Sequence, residues 1–132
     1  MATFLDDLAT LMSGFATLNT NLFLGSMPTI PVGTGPFLSI AETGGSGPDY
    51  VQNQAAPAYV YPSAQFVARS KSYPVARAMA QSAYDAVAGI HNQTVNGTWY
   101  MFIKPAQQIF DLGLDEDERA RVAFNIFCCK RP

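Results

Sequence analysis

Residues 72–89 read SYPVARAMAQSAYDAVAG, and the reading of this stretch decides the fold. Val75, Met79, Ala83, Ala86 and Ile90 recur at spacings of four, four, three and four, the stripe of an amphipathic helix, while Arg77, Gln81 and Asp85 fall on the other face. Ser72 stands where a side chain caps free amides, Pro74 suits a first turn in which a missing N–H is no loss, and Gly89 offers a left-handed terminal residue. Six alanines between Ala76 and Ala88 raise helix propensity and let a sheet approach closely. Burying the stripe contributes at most about 6–10 kcal/mol. Ordering some eighteen residues costs roughly 1–2 kcal/mol each. The helix therefore needs a sheet to cover it.

Working outward, residues 59–70 read as a strand bent at Pro62, with Gln65, Val67 and Arg69 on one side and Phe66 and Ala68 on the other. Residues 43–57, TGGSGPDYVQNQAAP, read as a long loop, either functional or disordered. Residues 37–43 alternate as a strand, and residues 22–25 are a short apolar run. Between them MPTIPVGTGP, with three prolines and two glycines, excludes a helix or a central strand. Phe4, Leu8, Leu11, Met12 and Phe15 follow helical spacing, with Asp6 and Asp7 in the first turn, and predict a first helix ending near Gly14.

Beyond Gly89, HNQTVNGT carries an Asn96-Gly97 turn signal. TWYMFIK then predicts a strand apolar on both faces: Trp99, Met101 and Ile103 against Tyr100 and Phe102. Such a strand needs two cover layers, one from the helix and one from a neighbouring subunit or the other half of a barrel. Residues 107–112 read as a short strand, 113–118 as a turn, and 119–130 as a long strand with Val122, Phe124, Ile126 and Cys128 on its core face. The last two strands form a hairpin.

At 132 residues with no internal repeat, the expectation is one domain, 1–132. The formal charge of -2 and a pI near 5.1 argue against direct nucleic-acid readout. Charged residues are 14%, against about a quarter in ordinary soluble domains, which fits a surface covered by other chains or a monomer with an apolar surface, and composition alone leaves both open. Asp6 and Asp7 stand where a signal peptide would be basic, and no apolar run approaches the roughly 18 residues that span a bilayer; a cytosol-like compartment is expected. Adjacent Cys128 and Cys129 point to opposite faces of a strand and read as reduced packing residues.

Chemical motifs are sparse. GGSG lacks the lysine and hydroxyl residue of a phosphate-cradling loop, and the single histidine, His91, has no nucleophile partner nearby. Asp115, Glu116, Asp117 and Glu118 are consecutive, whereas a calcium loop spaces its ligands; they read as a solvated hairpin turn. Asn92-Gln93-Thr94 and Asn96-Gly97-Thr98 match the glycosylation pattern but read as turn residues. No catalytic, cofactor-binding or metal residue is expected, and hence no enzyme.

The order helix, glycine-rich loop, YVYPSAQFVARSKSYPVARAMAQSAYDAV, then WYMFIKPAQQIFDLGLDEDERARVAFNIFCCKR resembles the tail terminator (tail completion, minor capsid) proteins of long-tailed bacteriophages. The resemblance covers about residues 22–131. It rests on the strand 65–69 running through Ser70 and Lys71 into the helix at Tyr73, on residues 105–110, and on an acidic turn before a final alternating strand. It implies an α+β fold with helices packed on a small mixed or antiparallel sheet; the segments read above make this two helices with a C-terminal β-hairpin and a long Gly-rich loop at residues 43–57, where the chain departs from the usual family pattern.

The same resemblance implies a structural virion protein: a homohexameric ring that caps the tail tube, ends its polymerisation and joins it to neck or head-completion proteins. Its partners would be itself, the tube protein and the neck protein, with DNA only passing through the lumen and no membrane. It would sit at the neck end of the virion tail after assembly in the host cytoplasm. The interface candidates are Tyr50, Val51, Gln52, Tyr59, Tyr61, Arg69, Tyr100 and Phe102. Asp115, Glu116, Asp117 and Glu118 would face the lumen, where six copies of four acids give a ring of twenty-four. The alternatives are another neck or tail-tube subunit and, more distantly, a small cytosolic enzyme or ligand-binding domain.

Overall fold

The structure is a computed structural model describing residues 3–25, 33–50 and 57–132. In chain order its elements are α1 (Phe4–Leu11), β1 (Leu22–Leu24), β2 (Phe37–Glu42), β3 (Ser46–Tyr50), β4 (Pro57–Tyr61), β5 (Ser63–Ser70), α2 (Tyr73–Val87), β6 (Ile90–Val95), β7 (Thr98–Pro105), β8 (Phe110–Leu114) and β9 (Ala120–Lys130). This is the α+β arrangement expected: two helices on a strand-rich mixed sheet. No described helix is long and apolar enough to cross a membrane.

The sheet is assembled on β9. One flank pairs with β5 over residues 120–127 and then with β4, where Lys130 meets Val60. The other flank pairs with β8 over residues 120–123 and with β7 over residues 126–130. Beyond these, β2 pairs with β5, β6 with β7 and β3 with β4, all antiparallel, while β1 runs parallel to β2. The bend expected at Pro62 separates β4 from β5. Proline has no N–H to give a ladder, and the Pro62 carbonyl instead accepts from the Cys128 N–H at 3.1 Å and Sγ at 3.3 Å.

Strand alternation sends Val122, Phe124, Ile126 and Cys128 of β9 to one face, with Ala64, Phe66 and Ala68 of β5, and all are buried. Phe66 and Phe124 stack with centroids 4.8 Å apart, and Tyr84 of α2 meets Phe124 edge-on at 5.4 Å. Both helices pack on this face and share its core. The buried stripe of α2 is Ala76, Met79, Ala80, Ala83 and Val87, one position round from the stripe read in the sequence. Val75 is 41% exposed. A helix lying close on a sheet turns its smallest side chains inward, which displaces the valine to the rim. Ser72 is the N-cap residue but makes no side-chain cap bond; its own N–H donates to the Ser70 hydroxyl at 3.2 Å. At the other end Gly89 takes φ +79, the left-handed residue expected there.

Helix α1 ends at Leu11, earlier than expected, and starts with a capping box: Thr3 N–H donates to the Asp6 carboxylate at 2.9 Å and Asp6 N–H to the Thr3 hydroxyl at 3.2 Å. These bonds hold the Asp6 carboxyl below its ordinary pKa. Asp7, 2% exposed, faces the core instead and accepts the Tyr100 hydroxyl at 2.5 Å and the Asn96 amide at 3.0 Å.

Two segments read as loop or turn are strands. Residues 46–50 pair with β4 as β3, with register irregularities, and residues 90–95 pair with β7 as β6. The β6–β7 turn is the Asn96-Gly97 pair, both at positive φ, the mirror-image turn that suits hairpin twist. Gly45 leads into β3 at φ +76, where a Cβ would lie 2.0 Å from the Tyr61 carbonyl oxygen, so no other residue fits. Within the 43–57 stretch, residues 51–56, including Val51 and Gln52, lie outside the described residues.

Strand β7 is not greasy on two faces in simple alternation. A bulge between Tyr100 and Phe102 leaves Met101 exposed and turns both Tyr100 and Ile103 into the core. Its inner face is covered by its own chain.

Candidate functional site

Neither helix covers the second face of the sheet. In register across it run Phe37, Arg69 and Arg121; then Ser39, Val67, Ala123 and Phe110; then Ala41, Gln65 and Asn125. Ala123 and Ser39 are nevertheless buried, because small side chains between larger cross-strand neighbours are screened by them.

Towards the C-terminal end of β9 this face becomes aromatic. Phe102 and Phe127 meet edge-on at 5.8 Å, and Tyr59 and Trp99 lie 6.5 Å apart. Lys104 places its ammonium 4.7 Å above the Phe102 ring, and the Arg131 guanidinium lies 5.1 Å above Trp99. The Trp99 indole N–H donates to Asn92 at 2.8 Å, fixing the ring. Phe127 remains 41% exposed and Met101 38%. Cys129 is 2% exposed beside Phe102, its register partner, and Cys128 behind it on the core face is buried as well. Burial pushes the Cys128 thiol up to about 12.

At the opposite end of β9 lies the acidic hairpin tip. Asp115 is an internal anchor: its carboxylate accepts the Arg119 N–H at 2.8 Å, the Arg119 Nε at 2.9 Å and the Asp117 N–H at 2.9 Å, and Arg69 approaches to 3.6 Å. Burial works against the charge, yet these donors hold the Asp115 carboxyl below its ordinary range. Arg119 also bridges Asp117 at 3.2 Å, and the Lys71 ammonium donates to the Asp117 carbonyl. Glu116 and Glu118 are exposed, and Leu114 beside them is 64% exposed, the most open of the large apolar side chains described.

The expected site residues therefore separate. Tyr59, Tyr61 and Phe102 are half-buried, and Arg69 is engaged with Asp115. Tyr100, expected to face a neighbour, is fully buried in its own subunit because the bulge and the Asp7 carboxylate draw it inward; burial and that bond raise its pKa. Asp115 and Asp117 are ion-paired with Arg119 of their own subunit, so Glu116 and Glu118 are the acids of the run that stand exposed without such a pair. Sequence reasoning missed Trp99, Phe127, Lys104, Arg131 and Leu114 as surface features. The signal was present in IFCC at residues 126–129, apolar at both parities, which a strand with one buried face does not need.

Other features carry less chemistry. A groove open to solvent beside α1 is lined by Asp6, Thr10, Leu18 and Leu22, and its carboxylate is taken up by the helix cap. His91 bonds its own neighbour's carbonyl, Gly89, at 2.9 Å. Among the described residues no group of three or more His, Cys, Asp or Glu is placed to hold a metal.

A family model described as "Bacteriophage tail terminator protein" matches residues 10–128. None of the curated proteins matches the sequence. Among solved structures, a chain of the "Virion of native gene transfer agent (GTA) particle" superposes with a TM-score of 0.58 at 13% identity, covering 95% of this chain and 84% of its own. At that identity the likeness is one of fold. With the family match spanning nearly all the elements above, the chain belongs to the bacteriophage tail terminator family and is a structural protein of the phage tail.

Proposed function

We propose that copies of this chain close into a ring, a homohexamer by resemblance, that caps the tail tube at the neck end, ends its polymerisation and presents a surface to a neck or head-completion protein. Its work is selective binding rather than catalysis, with assembly in the host cytoplasm and DNA passing through the lumen. The observation that supports this reading is the sheet face that neither α1 nor α2 covers. It exposes aromatic side chains flanked by cations, the composition of interface centres rather than of solvated surfaces. Tyr50, Val51, Gln52, Tyr59, Tyr61, Arg69 and Phe102 are proposed to lie at or near contacts with the next subunit or the tube. A lumenal role of the acidic turn would rest on Glu116 and Glu118, since Asp115 and Asp117 are engaged by Arg119.

Tail assembly with and without the full chain tests this reading. Tubes assembled in its absence are expected to vary in length and to end uncapped. With the protein present, particle imaging is expected to show one ring at the head-proximal end. Uniform, normally closed tubes in its absence would remove the terminator role. A ring repeated along the tube or set within the neck would favour the alternative of another tail or neck subunit.

A further inference from the structure

The two ends of β9 carry surfaces that complement each other, and they belong to one chain. At the far end the patch formed by Trp99, Phe102 and Phe127 is apolar and is flanked by the Lys104 and Arg131 cations. At the near end Leu114 projects as an apolar knob beside exposed Glu116 and Glu118. Arg119 takes up Asp115 and Asp117, which leaves the two glutamates as the acids that project from the tip. Leu114 stands in register with Ala120, and the seven residue steps from there to Phe127, at about 3.3 Å each, put these surfaces roughly 23 Å apart along the strand, too far for a chain to satisfy both within itself.

We infer that the hairpin tip of one subunit, Leu114 with Glu116 and Glu118, docks on the Trp99/Phe102/Phe127 patch of the next copy, with Lys104 and Arg131 meeting the two glutamates. Such a contact joins unlike surfaces head to tail, and a repeated head-to-tail contact closes into a ring when its rotation allows. The aromatic patch supplies the desolvated centre, and the charges at its rim set register and exclude a tip-to-tip or patch-to-patch pairing. The acids then serve the neighbour's cations rather than the lumen.

This inference rests on the ring reading, and one set of full-length variants separates the two. Charge reversal at the tip (Glu116→Lys with Glu118→Lys) or at the patch (Lys104→Glu with Arg131→Glu) is expected to raise the concentration needed for assembly at least about tenfold. An equimolar mixture of the two variants is expected to assemble again, because each tip then finds a complementary patch. Leu114→Cys with Phe127→Cys is expected to give, on oxidation, a ladder of covalent multimers ending at the ring size; either cysteine alone, with no opposing cysteine across the contact, is expected to give no cross-link. The native thiols are buried and give little background. A wild-type ring, weighed by mass measurement, whose assembly ignores all four charge reversals, or whose paired cysteines give no ladder or dimers alone, overturns the tip-to-patch contact and leaves the ring. A wild type that stays monomeric with and without tail tubes overturns both.

Discussion

Phe124 and Phe127 stand three residues apart on β9 and face opposite sides of one sheet. Phe124 is fully buried between Phe66 and Tyr84, under α2. Phe127 is 41% exposed beside Phe102, on the face that neither α1 nor α2 covers. Alike in chemistry and strand, the two rings contribute to different equilibria. The first removes apolar area from water when the chain folds, whereas much of the second's area is still available for removal when chains meet. A surface with few charges is thus explained by a sheet with one face finished and one face left over.

The largest test of that division is truncation of both rings. Phe124→Ala is expected to cost about 3–5 kcal/mol in urea denaturation of the isolated chain, and Phe127→Ala under about 0.5 kcal/mol. Equal losses would mean that the two faces are equally covered within one subunit. Next in size, Tyr100→Phe is expected to cost about 1–3 kcal/mol, because it leaves the buried Asp7 carboxylate with one fewer donor. A neutral outcome would return β7 to the surface side of the comparison.

The smallest effect concerns the tip. Asp115→Asn keeps an acceptor oxygen and is expected to cost about 1 kcal/mol at pH 7. The Asp115 carboxyl titrates below its unfolded value. Its contribution is therefore full above the unfolded pKa of about 3.9 and is lost as pH falls through the lower folded pKa. The gap between wild type and variant should close over that acidic window and stay constant from about pH 5 upward. A gap that persisted at the acid end would mean that the Asp115 charge is not what anchors the turn.

The elements legible in the sequence were those with a strong apolar period: α2, β2, β5 and β9 with its hairpin. What escaped has physical causes. Alanine scores weakly as apolar, so periodicity selected Val75 where the sheet selects Ala76 and Ala80. Strand β6 lies at an edge and buries Val95 but leaves His91 to Thr94 exposed, so HNQTV carries no alternation to read. Strand β3 pairs through its backbone despite a glycine and a proline, and backbone pairing leaves no side-chain pattern. The burial of Tyr100 depends on Asp7, far away in sequence, and on a bulge that a period of two cannot express. The candidate contact surface is half legible: Tyr59 and Phe102 stand among the interface candidates, whereas Trp99 reads only as part of a strand apolar on both faces and Phe127, off the core face of its strand, carries no motif that singles it out.

The position of β9 also governs timing. Strands β4, β5, β7 and β8 all take a partner edge from residues 120–130. About fifty residues lie between the end of β5 and the start of β9, which at roughly 5–20 residues per second occupy a ribosome for about 3–10 s. Until those last residues emerge, neither the aromatic patch nor the acidic tip has a scaffold, and a nascent copy has no complete docking surface to offer a finished one. Polysomes translating this message can thus carry many unfinished chains side by side without seeding assembly, at the expense of leaving β5 with an unpaired edge for chaperones to shield.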